Sequence, residues 1–129
     1  MISKTSSVPK LLSLAEVQLF NNGTQVSIKH GNASQSSTFD SNTGASKAID
    51  SGLKYNTSSK SVTSTKLGKS HWWKVKLGKH VSATEIIIKN NTDGLAHLEG
   101  SILKVHDENN QVVLEQKLSR NRTQKYSLV

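Results

Sequence analysis

The chain has 129 residues, of which 33% are hydrophobic and one is proline. This composition suits one folded domain and excludes collagen-like and disordered chains. No run of 18 apolar residues occurs, which excludes a membrane-spanning helix, and the first residues lack the apolar segment of a signal peptide. Because there is no cysteine, the fold needs a well-packed core, a metal ion or partner subunits instead of disulfides.

The formal net charge is +8, and the positive charge is concentrated in the middle of the chain. A field of this sign attracts polyanions such as nucleic acid, anionic lipid or acidic polysaccharide. An ordinary solvated surface that keeps the protein soluble explains the charge equally well. No acidic residue lies between Asp50 and Glu85, but that segment contains seven lysines: Lys54, Lys60, Lys66, Lys69, Lys74, Lys76 and Lys79.

Alternating apolar and polar residues, separated by clusters of Gly, Asn and Ser, predict strands along most of the chain. Three consecutive isoleucines at 86–88 indicate a central strand covered on both faces, and Asp107–Asn110 indicates a hairpin loop. No helix longer than two turns is predicted, so the expected fold class is an all-β antiparallel sandwich or jelly roll. The predicted strands are Leu11–Phe20, Gln25–His30, Trp72–Leu77, Ala83–Lys89, Ser101–His106, Gln111–Leu118 and Gln124–Val129.

Residues 31–69 differ from the rest of the chain because they are rich in Ser, Thr, Asn and Gly and poor in apolar residues. The composition predicts that this segment is mostly loops. Long loops in a compact domain are usually either disordered or functional, and a bound metal ion is one way to order them.

Enzyme signatures are missing from the sequence. There is no G-x-S-x-G, P-loop, G-x-G-x-x-G or H-E-x-x-H motif, and the five histidines lack zinc-site spacing. The nine carboxylates are scattered, and nothing in their spacing points to a glycosidase pair. We therefore expect a binding protein and not an enzyme.

An ordered set of short phrases carries the strongest signal in the sequence. They lie at residues 31–39, 45–52, 61–65, 72–78, 86–93 and 97–100. In that order and spacing they resemble the discoidin (coagulation-factor type C) superfamily, and most closely its F-type lectin (fucolectin) branch. The resemblance covers about residues 11–118 and implies a jelly-roll sandwich of the galactose-binding-domain kind.

One strand is out of its expected order. Residues 12–20 resemble the strand that ends such a domain, yet here they come near the start, and Met1–Lys4 would be the tail of the strand before it. We therefore expect one domain over residues 1–129 with its terminal strand, 11–20, placed first. A circular permutation or a different cut in a tandem array would produce this order; the alternative is an unrelated strand.

The resemblance implies a calcium site, because Ca²⁺ takes six to eight oxygen ligands. By resemblance, Glu16 and Asp50 supply carboxylates, and Ser61 supplies its hydroxyl and carbonyl. Backbone carbonyls would come from Ala15, Lys47 and Gly52. Glu16 also stands out by itself, because an unpaired carboxylate is costly in a strand rich in Leu, Val and Phe. The alternative makes Asp50 a turn residue and Glu16 an edge carboxylate.

The sugar site implied by the resemblance is altered in this chain. F-type lectins usually bind fucose with one His and two Arg, and the corresponding positions here hold Ser64, Asn91 and His97. Asp93 is retained. Tyr55 is a candidate ring for stacking on a sugar face, or else a plug over the core. We therefore do not expect fucose recognition by the usual chemistry.

A further departure concerns charge. The family strand commonly reads Trp-Trp-x-Val-Asp-Leu-Gly, and here Lys76 replaces the Asp. Together with the other lysines this favours anionic glycans, either sulfated or uronic, although Lys74 and Lys76 also fit an ordinary solvent face. Trp72 and Trp73 are predicted to pack in the core and sheet and not to form a sugar platform.

Three functions are consistent with these observations. The first is a calcium-stabilised, glycan-binding or polysaccharide-binding module that gains avidity as a homo-oligomer or in a tandem array, on a cell or virion surface or outside the cell. The second is a structural or adhesion module, also of a surface or virion protein, that has lost the sugar pocket. The third, nucleic-acid or membrane binding through the lysines, is disfavoured because few aromatic residues interleave with basic ones and no nucleic-acid motif occurs.

Overall fold

A computed structural model describes all 129 residues, from Met1 to Val129. It is an all-β sandwich of two antiparallel sheets, as the sequence predicts. Two 3₁₀ turns, Ala45–Ala48 and Leu95–His97, are the only helical elements, and no helix is long and apolar enough to cross a membrane. The strands are β1 Ile2–Lys10, β2 Glu16–Asn21, β3 Thr24–Val26, β4 Asn32–Gln35, β5 Gly68–Lys76, β6 Glu85–Lys89, β7 Ile102–His106, β8 Val112–Lys117 and β9 Thr123–Ser127.

The two sheets have five and four strands. The five-stranded sheet has the order β4-β5-β1-β7-β8, and the four-stranded sheet has the order β3-β2-β6-β9. β6 is internal to its sheet, and Ile86, Ile87 and Ile88 are all buried, which confirms the central strand predicted from the isoleucine run. The predicted hairpin loop between β7 and β8 is also confirmed, and the N–H of Asp107 donates to the carbonyl of Gln111 at 2.9 Å.

Two strands were not predicted in full, because their sequences are too polar to show a core-facing pattern. β1 continues six residues beyond the Met1–Lys4 tail that the sequence suggested, and it lies between β5 and β7. Its residues Ile2 and Lys4 point inward and are buried. β4 lies at a sheet edge within the segment predicted as loops.

The predicted strand Leu11–Phe20 was wrong in its first five residues, since β2 begins only at Glu16. Leu12 and Leu14 pair instead with the loop that carries Thr63 and Thr65, through N–H···O bonds of 3.0 and 2.9 Å to the carbonyls of Leu12 and Leu14. We call residues 12–14 together with 63–65 the loop ladder. The loop ladder belongs to neither sheet, and it joins the segment before β2 to the long loop of residues 39–65.

The tryptophans of β5 separate to opposite faces of the sheet. Trp73 is 2% exposed and its Nε1 donates to the Ala45 carbonyl at 2.9 Å, so it packs in the core as predicted. Trp72 is half-buried on the outer face, with the Lys74 ammonium 4.9 Å from its ring centre. A cation over an indole face is a stabilising contact, so Lys74 is engaged on the outside of the sandwich.

We expect Ile88→Ala to lower the free energy of unfolding by about 2–5 kcal/mol, because Ile88 is fully buried in a central strand and its loss leaves a cavity. Val113→Ala is the matched control: Val113 is 47% exposed on the edge strand β8, so its truncation should cost no more than about 0.5 kcal/mol. Urea unfolding measures both. Equal, small effects would contradict the central position of β6.

Candidate functional site

Two groups of predicted site residues lie at the same end of the sandwich. β2 begins there and β6 ends there, and the long loops of residues 39–65 and 91–97 meet around them. One group is the carboxylate pair, Glu16 and Asp50. The other is a cavity beside the loop ladder.

The carboxylate pair joins residues that are 34 positions apart in sequence. The Glu16 side chain is 2% exposed, its Oε2 accepts the N–H of Ser51 at 3.1 Å, and its carboxyl group lies within hydrogen-bonding distance of the Asp50 carboxyl group. Ser51 has a positive φ of 61°, a left-handed conformation that is uncommon outside glycine. The turn therefore aims the Ser51 N–H and the Asp50 carboxylate at Glu16.

Burial raises the pKa of Glu16 from its usual value near 4.5 to about 8. The Ser51 N–H opposes the rise, the Asp50 charge adds to it, and Lys29 opposes it from further away. No basic side chain forms an ion pair with either carboxylate, since the three ion pairs of the protein lie elsewhere. Neither carboxyl group therefore has a cationic partner, and Glu16 keeps its proton at neutral pH.

Three of the remaining predicted metal ligands lie beside this pair in the chain. Ala15 precedes Glu16, Lys47 lies in the 3₁₀ turn just before Asp50, and the Gly52 N–H donates to Asp50 Oδ1 at 3.0 Å. Ser61 lies two residues before Thr63 of the loop ladder, and its hydroxyl donates to the Asn56 carbonyl at 3.1 Å. The carbonyls of Ala15, Gly52 and Ser61 accept no hydrogen bond within the protein.

These free carbonyls fit a hard cation. No third carboxylate, histidine or cysteine joins Glu16 and Asp50, so most ligands would have to be carbonyl, hydroxyl or water oxygens, which Ca²⁺ accepts. The calcium site stays a prediction.

The second group forms a cavity of about 160 Å³. Four of the five predicted ligand-binding residues line it: Ser64, Asn91, Asp93 and His97. Nine of its twelve lining residues are polar or glycine, yet most of the surface that the cavity exposes is carbon, so a few polar groups lie in a largely apolar wall. Its size is below the roughly 300–1,000 Å³ of pockets for drug-sized ligands, which suits part of a single sugar ring.

Asn91 holds this cavity together and has little capacity left for a ligand. Its amide group donates to the hydroxyls of Ser13 and Thr57 at 3.1 and 2.9 Å, and its Oδ1 accepts the N–H of Asp93 at 3.0 Å. Both donors are therefore already used. We infer that Asn91 orients the loop, although its position suggested a ligand-binding residue.

Asp93 has one carboxylate oxygen to offer. Its Oδ2 accepts the N–H groups of Thr57 and Ser58 at 2.9 and 3.3 Å, which fixes the carboxylate, while its Oδ1 has no donor in the protein. A fixed, unpaired carboxylate oxygen at the wall of the cavity is well placed to accept a hydrogen bond from a hydroxyl group.

His97 also faces the cavity with unused hydrogen-bonding capacity. Its ring makes no hydrogen bond, and Nδ1 is buried without a partner. Burial first, and the charge of Lys4 second, lower the pKa of His97, so the ring is neutral at physiological pH and has one donor and one acceptor. A Cβ at Gly94 would lie 3.1 Å from the ring, so glycine allows this close approach.

Tyr55 lies outside the cavity. Its carbonyl accepts the N–H and the hydroxyl of Thr92 at 2.7 and 3.0 Å, and the Lys89 ammonium lies 5.6 Å from its ring centre. These contacts tie residues 51–61 to the loop after β6. The sequence suggested Tyr55 as a stacking ring because its loop lies between Asp50 and Ser61. The direction of the ring depends on packing, which the sequence does not show.

Several lining residues were not predicted, because they come from distant segments without a motif. Phe39 is the most informative: it is 61% exposed although it is a large apolar residue, and it borders the cavity. An exposed Phe in a polar segment was the available signal. The other unpredicted lining residues are Leu11, Ser13, Asp40, Thr43, Thr57, Val62 and Gly94.

Comparisons of the chain with models of known protein families, with curated proteins and with solved structures found no match.

Without divalent cations we expect the protein to lose stability as the pH rises from about 4.5 to about 8. Folded Glu16 keeps a proton that the unfolded chain has released, so its contribution is complete below the unfolded pKa and is lost as the pH passes the folded one. Glu16→Gln keeps the shape but cannot ionise, so this loss should vanish. Urea unfolding in chelator across this range measures both, and parallel profiles would contradict the raised pKa.

Proposed function

We propose that the protein is a carbohydrate-binding module of the discoidin and F-type lectin kind, in which the cavity holds part of one sugar ring and Ca²⁺ binds the carboxylate pair. One observation carries the proposal. Residues that the resemblance assigns to a ligand site, 33 positions apart from Ser64 to His97, line one open cavity.

The available groups suit hydroxyl-rich ligands. Asp93 Oδ1 can accept hydrogen bonds, and Nε2 of the neutral His97 ring can donate or accept one, since Nδ1 is buried. Phe39 provides an exposed aromatic face at the rim, in the role that the sequence suggested for Tyr55. Apolar faces of sugars pack on aromatic rings, while their hydroxyls reach polar groups beside the ring.

The cavity favours a neutral ring. Asp40 and Asp93 line it, and no Lys or Arg does. An anionic group inside would face carboxylates, so any preference for sulfated or uronic glycans must come from the lysines outside the cavity, among them Lys74 beside Trp72 on the outer sheet face. We therefore propose that the cavity recognises a neutral sugar ring, while the lysines outside the cavity attract a charged polymer.

Calcium would act as a support for the loops. Glu16, Asp50 and Ser61, with carbonyls of Ala15, Lys47 and Gly52, would hold it. A bound cation would offset the cost of the buried Glu16 charge and tie the start of β2 to the turn at Asp50.

The structural or adhesion alternative is favoured by a different observation: Asn91 stands where the resemblance implies a cationic residue, and its amide group already donates to Ser13 and Thr57.

The cavity is small, so a single site would bind weakly. We propose that the module works through multivalency, as a homo-oligomer or beside similar modules, outside the cell or on a cell or virion surface.

Binding can be tested on a glycan array of neutral, sulfated and uronic sugars, read across a salt series with calcium and with chelator. We expect calcium-dependent binding of neutral sugars that persists at high salt. Binding only to sulfated or uronic sugars, lost with salt, would contradict the neutral-ring proposal. No binding to any sugar would favour the structural module.

For the best array sugar, we expect Asp93→Asn to weaken binding roughly 10- to 100-fold, because a hydrogen bond to a charged group contributes about 1.5–3 kcal/mol. Asp107→Asn is a matched control, since Asp107 also accepts two backbone N–H groups but lies at the opposite end of the sandwich. Phe39→Ala should weaken binding, whereas Leu53→Ala, at an even more exposed apolar residue, should not. Calorimetry measures all four, and equal effects of the two Asp variants would exclude Asp93 from the site.

We expect Ca²⁺ to raise the melting temperature by several degrees over chelator, since a ligand at roughly 100 times its dissociation constant adds about 2.7 kcal/mol. Glu16→Gln and Asp50→Asn should each abolish this rise, while Glu85→Gln, at the far end of β6, should keep it. Thermal unfolding with Ca²⁺, Mg²⁺ and chelator measures the effect. A rise that survives in Glu16→Gln would place the cation elsewhere.

A further inference from the structure

The end of the sandwich opposite the carboxylate pair contains a larger opening between the two sheets. Its volume is about 700 Å³, and eleven of its twenty lining residues are hydrophobic. The four-stranded sheet contributes Val17, Leu19 and Ile86, and the five-stranded sheet contributes Trp73, Leu103 and Val105. We call this opening the inter-sheet cleft.

The dimensions and the lining of the cleft suit a small apolar ligand. Its volume lies within the roughly 300–1,000 Å³ typical of small-molecule pockets, which are mostly apolar with a few polar groups. The opening is accessible from solvent, and its floor is formed by largely buried residues, of which Trp73 and Leu103 are 2% exposed and Val17 is 4% exposed. Leu77 and Val81, both half-buried, line it on either side of Gly78, whose φ is +73°.

The mouth of the cleft has a net positive charge. Lys76 and Lys79 lie there and form no ion pair. The two acidic residues at the mouth are already engaged: Glu108 pairs with His80 at 3.3 Å, and Asp107 Oδ1 accepts two backbone N–H groups at 2.9 Å. An anionic group at the mouth would therefore meet unpaired lysines.

We infer that the inter-sheet cleft binds a free medium-chain carboxylate, with its alkyl chain between the sheets and its carboxylate beside Lys76 and Lys79. The apolar lining selects the chain, and the two unpaired lysines select the charged head. This site is distinct from the sugar cavity, so either can be present without the other.

Trp73 reports on the cleft directly. It lines the cleft and is held by the Ala45 carbonyl, while the other tryptophan, Trp72, lies on the outer face of the sheet. In a Trp72→Phe background all tryptophan fluorescence comes from Trp73. Decanoate brominated at its chain end should then quench this fluorescence saturably, because bromine quenches tryptophan on contact.

Matched ligands and variants test the two halves of the site. Decanol should bind more weakly than decanoate, and Lys76→Glu with Lys79→Glu should weaken decanoate roughly tenfold while leaving decanol unchanged. The control is Lys117→Glu with Lys125→Glu, two exposed lysines outside the cleft, which should have no effect. Val105→Phe should weaken both ligands by filling the cleft. If that variant does not fold, the surface charge pair still decides the question.

Several outcomes would overturn the inference. These are the absence of Trp73 quenching, quenching unchanged in folded Val105→Phe, and equal binding of decanoate to both charge-reversal pairs. Binding of anionic lipid vesicles without binding of free decanoate would indicate a membrane surface instead. Dimerisation in sedimentation that competes with decanoate would identify a second copy as the occupant.

Discussion

The loop ladder is the constraint on which one end of the sandwich depends, the end that contains the carboxylate pair and the cavity. Its backbone pairs are reinforced by buried side chains: the Leu12 N–H donates to the Thr65 hydroxyl at 2.9 Å, and the Ser13 hydroxyl donates to the Thr63 carbonyl at 2.6 Å. Both threonines are completely buried. Buried polar groups must be paired, so these bonds specify one register for two segments that belong to no sheet.

That register has consequences on both sides of the ladder. On one side it leads, two residues after Leu14, into Glu16 at the start of β2, and so into the carboxylate pair. On the other it places Ser13 and Ser64 in the wall of the cavity, where Ser13 accepts a bond from Asn91 at 3.1 Å. The two proposed binding functions therefore share one structural support, and a shift of one residue in the ladder would disturb both.

A buried lysine adds a second connection. Lys4, in β1, is 5% exposed, and its ammonium donates to the carbonyls of Leu11 and His97 at 3.1 and 2.6 Å. Burial, and then the charge of Lys10, lower its pKa. Lys4 thus links the centre of the five-stranded sheet to the cavity loops and keeps a positive charge near His97, which favours the neutral imidazole.

The sequence by itself determined the all-β antiparallel class, the buried isoleucine strand, the β7–β8 hairpin and the unusual position of Glu16. These features follow from alternation and turn chemistry within a few residues, where burial along one strand can be read directly. The family resemblance already implied that Glu16 lies with Asp50. Only the tertiary structure decided that Asn91 is occupied by Ser13 and Thr57, and that Phe39 and not Tyr55 borders the cavity. It alone also revealed the opening between the sheets. Each of these depends on contacts between distant segments, whose register and side-chain directions are set by packing across the whole molecule and leave no periodic trace in the chain.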